Sequence, residues 1–179
     1  KGSVDVRAVT DRRGSLDLAA QGLLPLEILP LLLPDLENLT GTLRFDLNLR
    51  GPMGIPALTG DLYLEDAAYY LSYNDQVVHD VNGHVSLEGS RAVIRDLSGM
   101  VDTGTFTAGG EVGLEGIRPV AVDLNVRALS LPFALPDTMN LVLEADVAMR
   151  GTPDATLLTG KAVVVKGSYY KDVQLNLIA

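Results

Sequence analysis

The sequence predicts an all-β protein built on an elongated, mostly antiparallel sheet that carries one short helix. Apolar and polar residues alternate strictly from Leu43 to Arg50, which is typical of a strand with one dry face and one face in water. The same plan returns one hundred residues later without a gap, so that residues 139–175 repeat residues 39–75. Helices and strands do not alternate along the chain, and we therefore expect hairpins to connect the strands.

The first elements are two strands and the helix. Alternating apolar residues predict strands at 4–9 and 15–21, separated by a turn-like segment. Leucines recur at helical spacing between Leu24 and Leu36, although Pro30 and Pro34 keep this helix short or kinked. We expect the helix to cover one end or edge of the sheet. The alternative, a helix on a membrane surface, is disfavoured because the segment holds no Lys or Arg.

The rest of the chain is interpreted as further hairpins, with about a dozen strands in all. Gly109-Gly110, in the middle of a long strand, indicates a bulge or a sharp bend. Two prolines, Pro132 and Pro136, indicate a loop over residues 130–137. The predicted strands of this part run over residues 43–50, 58–65, 69–73, 81–87, 92–97, 103–115, 119–129, 141–150, 158–166 and 169–178.

Composition excludes several classes of protein. The 179 residues fit one domain, or one piece of a longer array, and a hydrophobic content of 47% excludes disorder. The net charge of −9 opposes binding to nucleic acid or to anionic lipid head groups. Without cysteine there is no disulfide and no thiolate metal site. No segment reaches the roughly 18–20 apolar residues of a membrane-spanning helix.

The apolar sides of the strands must be covered, because exposing them to water costs about 25 cal/mol per Å². A second sheet, closure into a barrel, or a folded-over sheet around an apolar trough would each do so. The low aromatic content of 5%, together with a repeat that stacks along one axis, favours the folded-over sheet. The residues predicted to line its apolar interior are Leu43, Phe45, Leu47, Leu49, Leu62, Leu64, Phe106, Leu114, Val122, Leu124, Val126, Leu143, Val147 and Met149.

The sequence contains no catalytic constellation, so we expect no enzyme, no cofactor and no metal site. His79, Asp80 and His84 form the only groupings of imidazole and acid. A polar hairpin end explains them better than a zinc site, which needs three or four ligands. The aromatic pairs Tyr69-Tyr70 and Tyr169-Tyr170 occupy the same position of the repeat. They are interpreted as a cross-strand packing ladder, or alternatively as the rim of the trough.

A pattern of glycines carries a family resemblance. The chain reads LTG, a strand, RG, a turn, LTG and a strand ending in YY, and the part from RG through a turn and LTG to a strand ending in GSYY returns in the second copy of the repeat. VNGHVSLEG and IRDLSGMVDTGTFTAGGEVGLEG lie between the copies. This pattern resembles the TamB family and, more loosely, its AsmA-like relatives. The resemblance covers nearly the whole chain and is clearest from Leu39 to Ala179.

The resemblance implies a fold and a location. The fold is a β-taco, a folded-over sheet around an apolar groove, which would form a single domain over residues 1–179. The chain would be a fragment of a longer periplasmic protein of a Gram-negative bacterium. Its parent protein would be anchored in the inner membrane by a segment that this sequence does not contain.

The resemblance also implies a function and partners. TamB-like proteins reach toward an Omp85-type partner, TamA, in the outer membrane. They are tied to outer-membrane protein and autotransporter assembly and to phospholipid movement between the two membranes. The expected ligands are phospholipid acyl chains, or β-strands of an outer-membrane protein, and not nucleic acid. Two alternatives stay open: a chaperone groove that binds client strands by strand addition, and a structural β-sandwich repeat.

Overall fold

The computed structural model describes residues 2–10, 15–31, 38–52, 56–71, 76–116, 118–135 and 138–170. These residues form one ten-stranded antiparallel sheet in which each strand pairs with the next along the chain. The prediction of an all-β, antiparallel fold is therefore confirmed. The strands are β1 (Ser3–Thr10), β2 (Ser15–Pro25), β3 (Leu39–Pro52), β4 (Ala57–Leu71), β5 (Gln76–Gly89), β6 (Arg91–Val101), β7 (Gly104–Glu115), β8 (Arg118–Leu135), β9 (Met139–Thr152) and β10 (Ala155–Tyr169).

The predicted helix is shorter than its leucine pattern indicated. Leu24 and Pro25 belong to β2 and pair with Leu43 and Thr42 of β3, and a 3-10 helix spans only Leu26–Leu31. Residues 32–37 of the predicted helix lie outside the described residues. Leu26 is 3% exposed and its helix packs against β3, so this short segment covers one end of that strand.

Two predicted breaks in the strands are wrong, because β-bulges let the pairing continue. Asp66 adopts a φ of 49° within β4, and the strand runs on through Tyr69 to Leu71 instead of starting again at residue 69. Ser130 adopts a φ of 53° within β8, after which Leu131 pairs with Leu143 of β9. The predicted loop over 130–137 is therefore strand as far as residue 135.

The bulges follow a line across the sheet. Register shifts place extra residues at Asp66 in β4, Asp80 in β5, Ser130 in β8 and Val165 in β10. Further shifts, in β6 near Arg95 and in β8 next to Pro119, lie away from this line. Since each bulge bends its own strand, the short strand ends beyond the line are angled relative to the longer segments. We call these short ends the lip; they comprise residues 67–71, 76–79, 101–104, 131–135 and 166–169.

The sheet has no closed core within the described ranges. A compact protein of 19.0 kDa exposes about 8,400 Å², whereas this chain exposes 12302 Å². The only buried apolar residues among those described are Leu26, Ala67, Leu87 and Ala128, and none has a fully buried large side chain. All ten described strands belong to one sheet whose first and last strands do not pair, so they form neither a closed barrel nor a sandwich of two separate sheets.

Candidate apolar binding face

The register carries apolar side chains onto one face of the sheet. Residues directly opposite each other in an antiparallel pair project to the same side. Phe45 pairs with Leu62, Leu124 pairs with Met149, and Val126 pairs with Val147. One row of direct partners crosses all ten strands: Val4, Gly22, Phe45, Leu62, Val85, Ile94, Gly110, Leu124, Met149 and Leu158. We call the surface that contains this row the apolar face.

All the residues that the sequence analysis predicted to line a groove lie on the apolar face. Leu43, Leu47, Leu49 and Leu64 join it through β3 and β4, and the other predicted positions follow through the registers of β7, β8 and β9. The strand registers establish that these residues share one face of the sheet. Their role in lining a groove for a ligand stays a prediction.

Some members of the apolar face were missed from the sequence. Val85 and Leu87 of β5 and Ile94 of β6 lie on it, opposite Leu62, Gly60 and Val85 respectively. The period-two alternation of β5 could have found Val85 and Leu87. In β6, an extra residue between Ile94 and Leu97 breaks the alternation, so both residues lie on the same face despite their odd spacing.

The opposite face is polar and holds ion pairs. Arg50 contacts Asp17 at 3.1 Å, and its repeat counterpart Arg150 contacts Asp123 at 3.0 Å. In both cases the carboxylate comes from the preceding strand. All four side chains are exposed, so each pair adds little to stability but marks the face that meets water.

On β3, the apolar side of the strand is less exposed than the polar side. Leu43, Phe45, Leu47 and Leu49 of β3 are half-buried, whereas Arg44, Asp46 and Arg50, on the other side of the same strand, are exposed. Because no second layer covers the described strands, this partial burial comes from neighbours within the sheet. Exposure rises at both edges, on β1 and β10.

Three glycines interrupt the apolar face at intervals of fifty residues. Gly60, Gly110 and Gly160 have φ values of +132°, +136° and +156°. A Cβ atom on Gly110 would overlap the carbonyl oxygen of Asp123 on the next strand, and Gly60 and Gly160 are equally tight against Asp46 and Asp146. The predicted bulge at Gly109-Gly110 is not in β7 itself, because the extra residue lies opposite, in β6. The glycines allow close approach between strands and leave gaps in the apolar surface.

The two histidines lie within β5 and not at a hairpin end. His84 is on the polar face, where its Nε2 atom lies 2.6 Å from Asp61 and its ring stacks on Tyr63 at 4.4 Å. His79 lies in the lip, with Nε2 at 2.9 Å from the backbone oxygen of Asp102 and Nδ1 at 2.9 Å from the carboxylate of Asp80. The hydrogen bond to the Asp102 oxygen, and then that to Asp80, raise the pKa of His79 above 6.5.

No metal site is formed by the described residues, since no three His, Asp or Glu side chains come together there. Within the same ranges, no helix has the length and apolarity needed to cross a bilayer. The aromatic pairs keep their repeat relationship: Tyr69 pairs with Leu39, and Tyr169 pairs with Met139. Tyr170 accepts a hydrogen bond from Asn140 at 3.3 Å.

A cleft of about 590 Å³ lies at the end of the sheet opposite the lip. It is formed where the start of β4 meets the β5–β6 and β7–β8 turns. Its residues are Pro56, Ala57, Gly89, Ser90, Leu114, Glu115 and Gly116. Leu114, one of the predicted groove residues, donates a backbone hydrogen bond to Ser90 here, at 2.6 Å.

These features define a class of protein: a single antiparallel sheet of long strands with one continuous apolar face and one charged face. Residues 95–176 match the family model described as the TamB C-terminal domain. This match covers somewhat under half of the chain, and for that part it confirms the predicted resemblance. At the level of the family, the similarity is to proteins involved in outer-membrane assembly and lipid transport. No curated protein and no solved structure matches the chain significantly.

Proposed function

We propose that this chain is a non-enzymatic binding and conduit module that holds phospholipid acyl chains on its apolar face. It would act in the periplasm as part of a TamB-like protein anchored in the inner membrane. Together with an Omp85-type, TamA-like partner, that protein would serve phospholipid transport between the membranes and outer-membrane protein assembly. The match to the TamB C-terminal domain supports this assignment at the level of the family.

One observation carries the proposal: the apolar row from Val4 to Leu158 crosses all ten strands, and the described residues provide nothing to cover it. Exposed aliphatic surface costs about 25 cal/mol per Å², so a flexible apolar ligand on this face would stabilise the chain. An acyl chain fits these requirements, because it needs burial and no matching polar group.

The curvature of the sheet supports a groove. On β3 the apolar side is less exposed than the polar side although no second sheet covers the described strands, as expected if the sheet curves toward the apolar side there. The bulges at Asp66, Asp80, Ser130 and Val165 supply a bend along one line. A sheet bent along such a line would hold ligands between its longer wall and its lip.

Site-specific photo-crosslinking in cells tests the proposal, with the probe at Leu124 and, in a second variant, at Asp123. These neighbours on β8 project to opposite faces, so they form a matched pair. Lipid adducts at Leu124 and none at Asp123 are expected. If neither position forms adducts in a folded protein, the apolar face has no ligand and the proposal fails.

A second candidate function, a chaperone for client β-strands, has its own observation. The residues of β10 are exposed along the whole strand, and its outer edge has no partner strand among the described residues. Its repeat counterpart, β4, is covered by β5. An edge of this kind accepts an extended peptide by strand addition.

The repeat provides a matched control for this second function. Leu158 of β10 and Leu58 of β4 occupy the same repeat position on the apolar face, but within the described part of the chain only Leu58 has a neighbouring strand on both sides. Strand addition predicts protein adducts from a photo-crosslinker at Leu158 and none at Leu58. Lipid binding predicts lipid adducts at both positions. The proline test at Leu175 that the sequence suggests lies outside the described residues.

A further inference from the structure

The β6–β7 hairpin is shorter than the strands on either side of it. β6 ends at Val101, opposite Val78, so that Val77 and Gln76 of β5 extend past the tip of the hairpin. On the other side, β8 continues to residue 135, beyond its last pairing with β7 at Leu129. The lip would therefore have a gap between β5 and β8 unless other contacts closed it.

Asp102, at the tip of the hairpin, makes four contacts with β5. Its carboxylate accepts hydrogen bonds from the Val77 backbone N–H at 3.1 Å and from Gln76 Nε2 at 3.1 Å. Its own N–H donates to the Val77 oxygen at 2.9 Å, and its backbone oxygen lies 2.9 Å from His79 Nε2. Its φ of 50° is a conformation that Asp tolerates better than most residues.

Gln76 extends these contacts to β8. The same Nε2 atom that donates to Asp102 also donates to the Pro132 carbonyl oxygen at 2.6 Å, which uses both hydrogens of the amide group. Gln76 is 6% exposed and is the one buried polar residue among those described. A buried amide of this kind persists only where its partners are in place, because leaving it unpaired costs free energy.

His79 completes the group with an unusual pair of partners. Both of its ring nitrogens face groups that only accept hydrogen bonds, namely the Asp80 carboxylate and the Asp102 carbonyl. A neutral imidazole has one N–H, whereas the imidazolium form has two. The observed geometry therefore satisfies both contacts only when His79 is protonated on both nitrogens.

We propose that Gln76, Asp102 and doubly protonated His79 form a pH-sensitive network that joins β5, the β6–β7 tip and β8 and closes the lip. The network holds the lip together while His79 carries its charge. When His79 loses a proton, one of its two contacts becomes a repulsion between lone pairs, and the attachment of the hairpin tip to β5 weakens.

The direction of the pH effect follows from the contacts of His79. The charged groups at its ring are Asp80 on its own strand and Asp102 in the adjacent turn, and both raise its pKa above 6.5. On the β4 side, the residues paired with Val77 and Val78 are Tyr70 and Tyr69, and neither is a carboxylate or an amine. The stabilisation that protonated His79 gives to the network is complete below pH 6.5, and it is lost as the pH rises through the raised pKa of His79.

The consequence for ligands rests on the proposed function, but the network itself does not. If the apolar face holds acyl chains, an open lip lets them leave sideways between β5 and β8. More alkaline conditions would then weaken ligand retention without any change to the apolar face itself.

Amide hydrogen exchange by NMR tests the network in this chain without any lipid. The backbone N–H groups of Val77 and Asp102 are direct reporters, and that of Leu114, at the far end of the sheet, is an internal control. Between pH 5.5 and 8, after correction for intrinsic exchange, the protection of Val77 and Asp102 is expected to fall about two- to five-fold, the range for an exposed ion pair. Protection of Leu114 should stay constant.

The two histidines supply the matched variants. His79→Gln should remove the pH dependence at Val77 and Asp102, and His84→Gln should retain it. The inference is wrong if the wild-type protection does not change with pH, or if His79→Gln retains the change. Gln76→Leu replaces the amide by an apolar side chain of similar size and should lower the protection of the Asp102 N–H at every pH. Unchanged protection of Asp102 in this variant would exclude the link to β8. A negative result in the lipid crosslinking leaves all these outcomes unaffected.

Discussion

Replacement of Gly110 by alanine tests whether the close strand contacts of the apolar face are set by glycine backbones. Gly110 has a φ of +136°, which costs an L-residue about 1–3 kcal/mol. Its new Cβ atom would also overlap the carbonyl oxygen of Asp123, so β7 and β8 must move apart at that point. One lost ladder hydrogen bond adds about 0.5–1.5 kcal/mol. The expected destabilisation is therefore about 2–4 kcal/mol, a large part of a typical domain stability of about 5–15 kcal/mol.

The preceding residue provides the control. A Cβ atom on Gly109 would meet only the Ile94 oxygen, at 3.6 Å, which is an ordinary contact. Gly109→Ala should therefore be neutral, or stabilise by about 0.4–1 kcal/mol through the unfolded chain. Urea denaturation followed by circular dichroism measures both variants. With a slope of about 2 kcal/mol/M, two variants whose free energies of unfolding differ by about 3 kcal/mol have urea midpoints about 1.5 M apart. Equal midpoints would refute the claim that φ and close approach at Gly110 determine the cost.

Three further substitutions test the strand contacts and the polar face. Gly60→Ala should destabilise the protein more than Gly160→Ala, because β4 is held by strands on both sides, whereas β10 has no outer partner strand among the described residues and can shift outward. Urea midpoints decide this order, and a larger loss at Gly160 would contradict it. Arg150→Gln should change the free energy of unfolding by only about 0.2–1 kcal/mol, because Arg150 and Asp123 are 61% and 49% exposed. A loss above about 2 kcal/mol would show that this ion pair does more than mark the face in water.

The assignment of residues to faces could be predicted from sequence, because it depends only on local alternation. Leu43 to Arg50 has no bulge, so every second residue stays on one side across the whole strand. The repeat then placed the residues of β9 on the same face as those of β3. Since a one-residue slip would move the whole apolar set to the charged face, the pattern also specifies the register.

The strand limits could not be predicted where a bulge intervenes. Asp66 and Ser130 resemble turn residues, and both adopt positive φ values, but each lies within a strand. Pairing with the neighbouring strand continues on both sides of them, and a single sequence does not show whether a partner will resume. For the same reason, the prolines of the segment after Ser130 indicated a loop, although Pro132 pairs with Val142.

The hydrogen-bond network around Asp102 also could not be predicted from the sequence. His79 and Asp80 are adjacent in the chain and were noticed, but Gln76, Asp102 and Pro132 come from three different elements. Only the short β6–β7 hairpin brings them together. Side-chain contacts that depend on the relative lengths of neighbouring strands have no sequence signature.

The described strands enclose no core, and the proposed function depends on that open arrangement. A globular domain buries its apolar side chains in its own interior, whereas this sheet places them in a row that crosses both copies of the repeat. Each added hairpin lengthens the face without changing its chemistry, because each strand contacts only its neighbours. Under the proposed function, such a face would bind by apolar area alone, with no polar group that fixes the ligand at one position. That property would suit a surface along which an acyl chain moves better than one on which it is stored.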